Sequence, residues 1–83
     1  MRFTMRLNTR QILYKFYKIR LEKSNNPIRT YRDLQIFYLR NIKEMKLHEI
    51  GSEFNLSGER VRGIAVRKSR EFERFLRIYK MEI

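Results

Sequence analysis

The 83-residue sequence predicts an all-α fold of about four helices, on three observations. Apolar side chains recur at three- and four-residue spacing in successive segments. Clusters of Ser, Asn, Pro and Gly separate those segments at short intervals. Alternation of period two is weak throughout, so no strand is assigned.

The first helix is expected over about residues 8–23. Asn8 is placed to cap its free amides, with Gln11 three residues on. Ile12, Phe16 and Ile19 form an apolar stripe. Leu13, Tyr14, Tyr17 and Leu21 widen it, leaving Lys15, Lys18 and Glu22 on the wet side. A helix this apolar either leaves its tyrosines half-exposed or touches more than its own core. Ser24-Asn25-Asn26-Pro27 ends the helix and turns the chain. A second start is read at Thr30, with Asp33 three residues later. Tyr31, Leu34, Phe37, Tyr38 and Ile42 then share one face.

After a break around residues 44–46, a third helix fits residues 47–54. Asn55-Leu56-Ser57 makes a tight connection with Ser57 as N-cap, and the last helix runs from Gly58 to about Lys80. Its inner side is Val61, Ile64, Ala65, Phe72, Phe75, Leu76 and Tyr79. The distal part of that stripe is expected to pack within the chain. Phe3, Met5 and Leu7, interleaved with Arg2 and Arg6, form a short basic segment ahead of the first helix, read as a frayed terminus. Residues 1–83 are taken as one domain, a size that supports one modest core.

Twenty Lys and Arg against nine Asp and Glu give a net charge of +11. Such an excess repels itself in a compact domain and points to a polyanionic partner. Nucleic acid stands ahead of anionic membrane or an acidic protein, although small ribosomal proteins share this charge. Residues 1–24 carry seven basic residues against one acid, residues 25–56 five against four, and residues 57–83 eight against four. Both ends are therefore basic and the middle is nearly neutral. Cysteine is absent, which removes disulfides and thiolate zinc sites and fits a reducing cytoplasm. No run approaches the roughly 18 apolar residues of a membrane span, and no signal-peptide core follows Met1. A cytoplasmic protein with no membrane partner is expected.

The stretch LHEIGSEFNLSGERVRGIAV, residues 47–66, has the pattern of a helix-turn-helix. Two short helices crossing steeply need a small residue at their closest approach, supplied by Gly51. Ile50 and Phe54 hold the first helix down. Asn55 tolerates a left-handed turn, Leu56 plugs it, and Val61 and Ile64 anchor the second helix. The opposite face of that helix shows Glu59, Arg62, Gly63, Arg67 and Arg70, flanked by Arg60. Arginine clamps phosphates or reads guanine bidentately, and glutamate accepts from cytosine in the major groove. A charged helix face alone is usually just solvated. On the second helix of this motif, in a chain of this charge, DNA contact is the better reading.

These residues resemble region four of bacterial sigma factors, the helix-turn-helix that recognises the promoter's upstream element. The family's run is a Leu-x-Glu-Ile-Gly core, a Val/Leu-Ser turn, then Arg-Glu-Arg-Val-Arg-Gln-Ile. Leu47, Glu49, Ile50, Gly51, Leu56, Ser57, Glu59, Arg60, Val61, Arg62 and Ile64 match it. Leu39 and Arg40 lie where the family has a supporting helix. The resemblance covers about residues 30–72 and implies a transcription-related DNA binder of a bacterial or phage cytoplasm.

The family places long base-reading side chains where this chain has Gly58 and Gly63, and a small apolar residue where it has Lys68. A target like the usual promoter element is therefore in doubt. Gly63 costs its helix on the order of 1 kcal/mol relative to alanine. It either admits close backbone approach to DNA or marks lost base reading. Lys68 is expected to snorkel past the edge of the core. The other regions of a full sigma factor have no room in 83 residues, so a complete one is not expected.

The DNA-binding set is thus Lys46, His48, Ser57, Gly58, Glu59, Arg60, Arg62, Gly63, Arg67 and Arg70. Glu59 and Arg62 are assigned to the groove and Arg60 and Arg67 to phosphates. Lys46, His48 and the third helix's first amides lie near phosphate. One helix reaches few base edges, so useful specificity needs a homodimer, a second protein, or both. The rival reading is an adaptor that binds RNA polymerase or another protein through the same fold. RNA binding is less favoured, because most RNA modules are sheet-based. No nucleophile–base pairing, phosphate loop, metal-ligand cluster or cofactor motif is evident, and His48 is the only histidine. No enzyme activity, cofactor or metal is expected.

Overall fold

The computed structural model describes the backbone of residues 7–82 and the side chains of residues 10–78. The basic segment ahead of the first helix, the Asn8 cap and Tyr79 lie outside the described side chains. Four helices follow one another: α1 (Leu7–Glu22), α2 (Pro27–Asn41), α3 (Leu47–Phe54) and α4 (Gly58–Glu82). No strand occurs among the described residues.

The chain turns from α1 into α2 earlier than the sequence reading placed it. Asn26 is the N-cap of α2, its Oδ1 accepting from the Arg29 amide (3.2 Å), and Pro27 occupies the first helical position. Pro27 lacks an amide proton, but the first turn of a helix has no partner for one anyway, so Asn-Pro starts the helix here. Thr30 consequently sits inside α2, with its side chain hydrogen-bonded to the Ser24 hydroxyl. At the other end α2 stops at Asn41. Glu44 adopts a left-handed conformation (φ 57°), and the Met45 amide reaches back to the Leu39 carbonyl (3.0 Å).

Two apolar clusters share α2 and α4. Leu13, Phe16, Leu34, Phe37 and Phe72 bring together α1, α2 and the distal part of α4. Ile36, Ile50, Val61, Ile64 and Ala65 bring together α2, α3 and the proximal part of α4. In the first cluster the Phe16 ring centroid lies 5.0 Å from that of Phe72 and 6.2 Å from that of Phe37. Both pairs are edge-on, the arrangement the ring quadrupoles favour. Each fully buried Phe contributes about 2–3 kcal/mol of transfer free energy.

The inner faces differ from the expected ones in three places. On α1 the buried residues are Leu13 and Phe16, while Ile12, Ile19 and Leu21 are only half-buried. Tyr14 is 73% exposed. On α2 Tyr31 is exposed at the edge of the face, whereas Ile36, which no one-faced pattern includes, is fully buried. Two residues along a helix is a turn of roughly 200°. Ile36 therefore points almost opposite Leu34, and α2 is covered on two sides. On α4 the Lys68 side chain does not snorkel into water. It is 13% exposed and bound to Glu71 (3.1 Å), which also pairs with Arg20 of α1 (3.3 Å). The acid between two cations lets a lysine replace an apolar residue at this edge of the core, and it ties α4 to α1. Phe72, Phe75 and Leu76 pack within the chain, as expected.

Tyr17 of α1 donates to the Leu34 carbonyl (2.8 Å). Its burial, with Tyr31 and Tyr38 close by, pushes the phenol well above its ordinary value. The unfolded chain releases that proton near pH 10, roughly the free phenol value, while the folded chain keeps it. Above about pH 10 the unfolded state holds fewer protons, so stability must fall as pH rises. Tyr17→Phe should cost about 1 kcal/mol near neutrality by losing the hydrogen bond. It should also lose stability less steeply than the parent between about pH 10 and 11.5. Urea unfolding across that range measures both.

Candidate nucleic-acid interface

The site is built on the way α3 meets α4. Gly51, buried in the middle of α3, faces the turn that follows. A methyl group on its Cα would run into the backbone carbonyl oxygen of Leu56. Backbone therefore packs on backbone, and the Gly51 carbonyl accepts from the Leu56 amide (2.8 Å). Asn55 takes the left-handed conformation expected of it (φ 58°, ψ 46°). Leu56 then plugs the gap, packed against the cluster that contains Ile50 and Val61. The Ser57 Oγ accepts from the Arg60 amide (3.1 Å), capping α4 where the sequence places the cap.

Val61, Ile64, Ala65 and Phe72 turn one side of α4 inward and so fix its rotation about its own axis. The side turned outward carries most of the expected contact residues. Glu59, Arg62, Gly63, Arg67 and Arg70 line one shallow concavity of about 440 Å³ together with Val66. The Glu59 and Arg62 side chains are 3.5 Å apart as an i,i+3 pair, and both are largely exposed. An exposed pair of this kind contributes little to stability, so Arg62 remains available to another anion. Arg60 is exposed on the flank of α4 that also carries Arg67, seven residues on.

The remaining expected residues lie around this face rather than in it. Lys46 is the exposed N-cap residue of α3, its amide bonded to the Glu49 carboxylate (3.3 Å). His48 is exposed in the first turn of α3, where its carbonyl accepts from the Ser52 hydroxyl. Neither is among the residues lining the two concavities that carry Arg62 and Arg70. Gly58 has room for a methyl group, in ordinary contact with the Leu47 Cβ (3.7 Å), so packing does not demand glycine there. Gly63 has open space around it and a negative φ.

Two neighbours escaped the sequence reading. A second cleft of about 370 Å³ lies between α2 and α4, with Arg40, Arg62 and Arg70 among its lining residues. Arg40 also bonds the Met45 carbonyl (2.9 Å) and so pins the loop before α3. Nothing in the local sequence around Arg40 signals this, because the cleft exists only after α2 packs on α4. Val66 is 43% exposed, although its neighbour Ala65 is buried. Among the described residues no group of three or more His, Asp or Glu is placed to hold a metal ion. None of their helices is long and apolar enough to cross a membrane.

Two helices joined by a tight turn at Asn55, the second exposed and arginine-rich on its outward side, define a helix-turn-helix domain. Residues 30–67 match the family model described as Sigma-70, region 4, and that match supports a sigma region-four-like helix-turn-helix over the stretch. That family is one of DNA-binding domains and not of enzymes. The match begins in the first turn of α2 and ends at Arg67, leaving α1 and the distal part of α4 beyond it. No curated protein and no solved structure matches the chain significantly.

If backbone contact at Gly51 sets the geometry, Gly51→Ala should force α3 away from the turn. The expected cost is about 1–3 kcal/mol, as for overpacking elsewhere. In a domain of this size that is a fall in Tm of roughly 4–20 °C. Thermal unfolding followed by circular dichroism measures it.

Proposed function

We propose that the protein is a sequence-reading transcriptional regulator that lays α4 in the major groove of duplex DNA. The observation that carries this reading is the outward face of α4, where four charged side chains surround an open floor on the second helix of a region-four-like motif. Glu59 and Arg62 face base edges. Arg60 and Arg67 clamp phosphates, and Arg70 and Arg40 extend the cationic surface toward α2. Lys46, His48 and the first amides of α3, with Ser57 and Gly58 at the start of α4, border the backbone of the same duplex. One helix contacts only a few base pairs, so a second copy or a second protein supplies the rest of the specificity.

A second reading is an adaptor that docks on RNA polymerase and touches DNA only through charge. What favours it is a groove of about 550 Å³ on the side of α1 and α2, whose lining includes Tyr14, Tyr17, Tyr31, Tyr38 and Phe54. Exposed aromatic surface of this kind commonly marks protein contact. Capture of core polymerase by the wild-type chain, lost with Tyr14→Ala, would favour the adaptor.

The deciding measurement is fluorescence anisotropy on duplex DNA from upstream of the gene, with scrambled duplex and single-stranded RNA as controls across a salt series. A regulator should prefer the upstream duplex near physiological salt. Arg62→Ala should then cost about 1–3 kcal/mol on that duplex alone. Arg67→Ala should weaken all duplexes alike and lower the salt slope by about one. Equal binding to all three nucleic acids, lost steeply with salt, would reject sequence reading.

A further inference from the structure

We infer that Gly63 and Val66 form a subsite for the 5-methyl group of a thymine in the major groove, an inference that rests on the DNA-reading function proposed above. At 100° per residue, Glu59, Gly63, Val66 and Arg70 fall along one line of α4, within a sector of roughly 60°. That line lies opposite Val61, Ile64, Ala65 and Phe72, all buried. It is the ridge furthest from the core and the one that enters a groove deepest. Its ends are charged and its centre is not.

Packing inside the molecule does not account for Gly63 and accounts for only part of Val66, which also lines the α2–α4 cleft. A Cβ on Gly63 would meet nothing within 4 Å, and the backbone there is ordinary right-handed helix. Alanine or glutamine would favour the helix more. Val66 is β-branched, a weaker helix former than Leu or Ala, and 43% of it faces solvent. The other large exposed hydrophobics among the described residues are Tyr14, Ile28, Tyr31 and Ile78, none of them in the proximal half of α4. Two adjacent positions on the ridge thus carry residues that suit neither water nor the helix. Both lie in the concavity rimmed by Glu59, Arg62, Arg67 and Arg70.

An apolar floor inside a cationic rim selects its occupant. The rim attracts nucleic acid, and the major groove presents one apolar group, the thymine 5-methyl. Gly63 brings the helix backbone close to the base edge, and Val66, one turn on, covers the methyl. The patch is too small to be the core of a protein interface, which is usually anchored by aromatic or arginine side chains in pockets.

The test replaces each thymine of the preferred duplex in turn by deoxyuridine, which removes the methyl and leaves the hydrogen-bonding groups unchanged. One position, or two adjacent ones, should weaken wild-type binding about fourfold, the effect of one buried methyl-sized group. Gly63→Gln and Val66→Ser should bind the thymine duplex more weakly and lose the difference between thymine and deoxyuridine. Arg62→Ala should weaken binding yet keep that difference. Gly63→Gln should also raise Tm, which shows that weaker binding is not failed folding. Tolerance of deoxyuridine at every position, or a difference that survives in both Gly63→Gln and Val66→Ser, overturns the subsite. Absence of any preferred duplex overturns the DNA-reading function itself, before any thymine is replaced.

Discussion

The contact between Gly51 and the backbone at Leu56 is the constraint from which the interface follows. Helices separated by side chains pack at 8–10 Å and retain freedom to adjust as those side chains repack. Here a Cα meets a carbonyl, and neither can yield by changing rotamer. The turn is consequently held in one shape, with Asn55 left-handed and Leu56 pointing inward. Ser57 is then positioned to cap α4, and the first turn of α4 begins in a defined direction. Everything α4 presents outward inherits that direction.

Rotation of α4 about its axis needs a second constraint, which the two apolar clusters provide. Val61, Ile64 and Ala65 hold its proximal part against α2 and α3, and Phe72 holds its distal part against α1 and α2. A helix anchored at both ends of its buried face cannot roll without breaking one set of contacts. The Arg20–Glu71–Lys68 network adds a third attachment on the α1 side. The motif proper ends near Arg67, but the stiffness of its second helix depends on residues beyond the family match.

The legible parts of the sequence were those where local chemistry and tertiary structure ask for the same residue. The bounds of α3, the left-handed Asn55, the Ser57 cap and the closeness at Gly51 were all readable because a helix-turn-helix leaves few alternatives at those positions. The start of α2 was misplaced because two capping signals competed. Asn26-Pro27 is a turn signal as readily as a helix start, and only the Arg29 amide bonded to Asn26 decides it. Ile36 and Tyr31 were misjudged because amphipathic reading assumes one buried face, and α2 is sandwiched. Lys68 looked like a core-edge exception because the Glu71 that neutralises it lies on the next turn and is itself held by Arg20 of α1. For the candidate interface, the charged residues were legible from helical period alone. Arg40 was not, since it joins Arg62 and Arg70 only across the packed α2–α4 pair. Val66 was not, since it adjoins buried Ala65 and so reads as the edge of the core.

The first turns of α4 hold together despite poor intrinsic helicity. Gly58 opens α4 and Gly63 follows five residues on, and glycine in a helix interior costs on the order of 1 kcal/mol relative to alanine. The Ser57 cap offsets about as much. The rest comes from Val61 and Ile64, each worth about 1.5–3 kcal/mol when buried. Their burial requires α3 to be seated at Gly51. Helicity in the proximal part of α4 is thus a consequence of tertiary packing and not of local preference. That division leaves the outward residues of α4 free of any stabilising duty. The Glu59–Arg62 pair is exposed and weak, and nothing among the described residues touches the open side of Gly63. A helix supported wholly from behind can present a face whose composition answers to a partner.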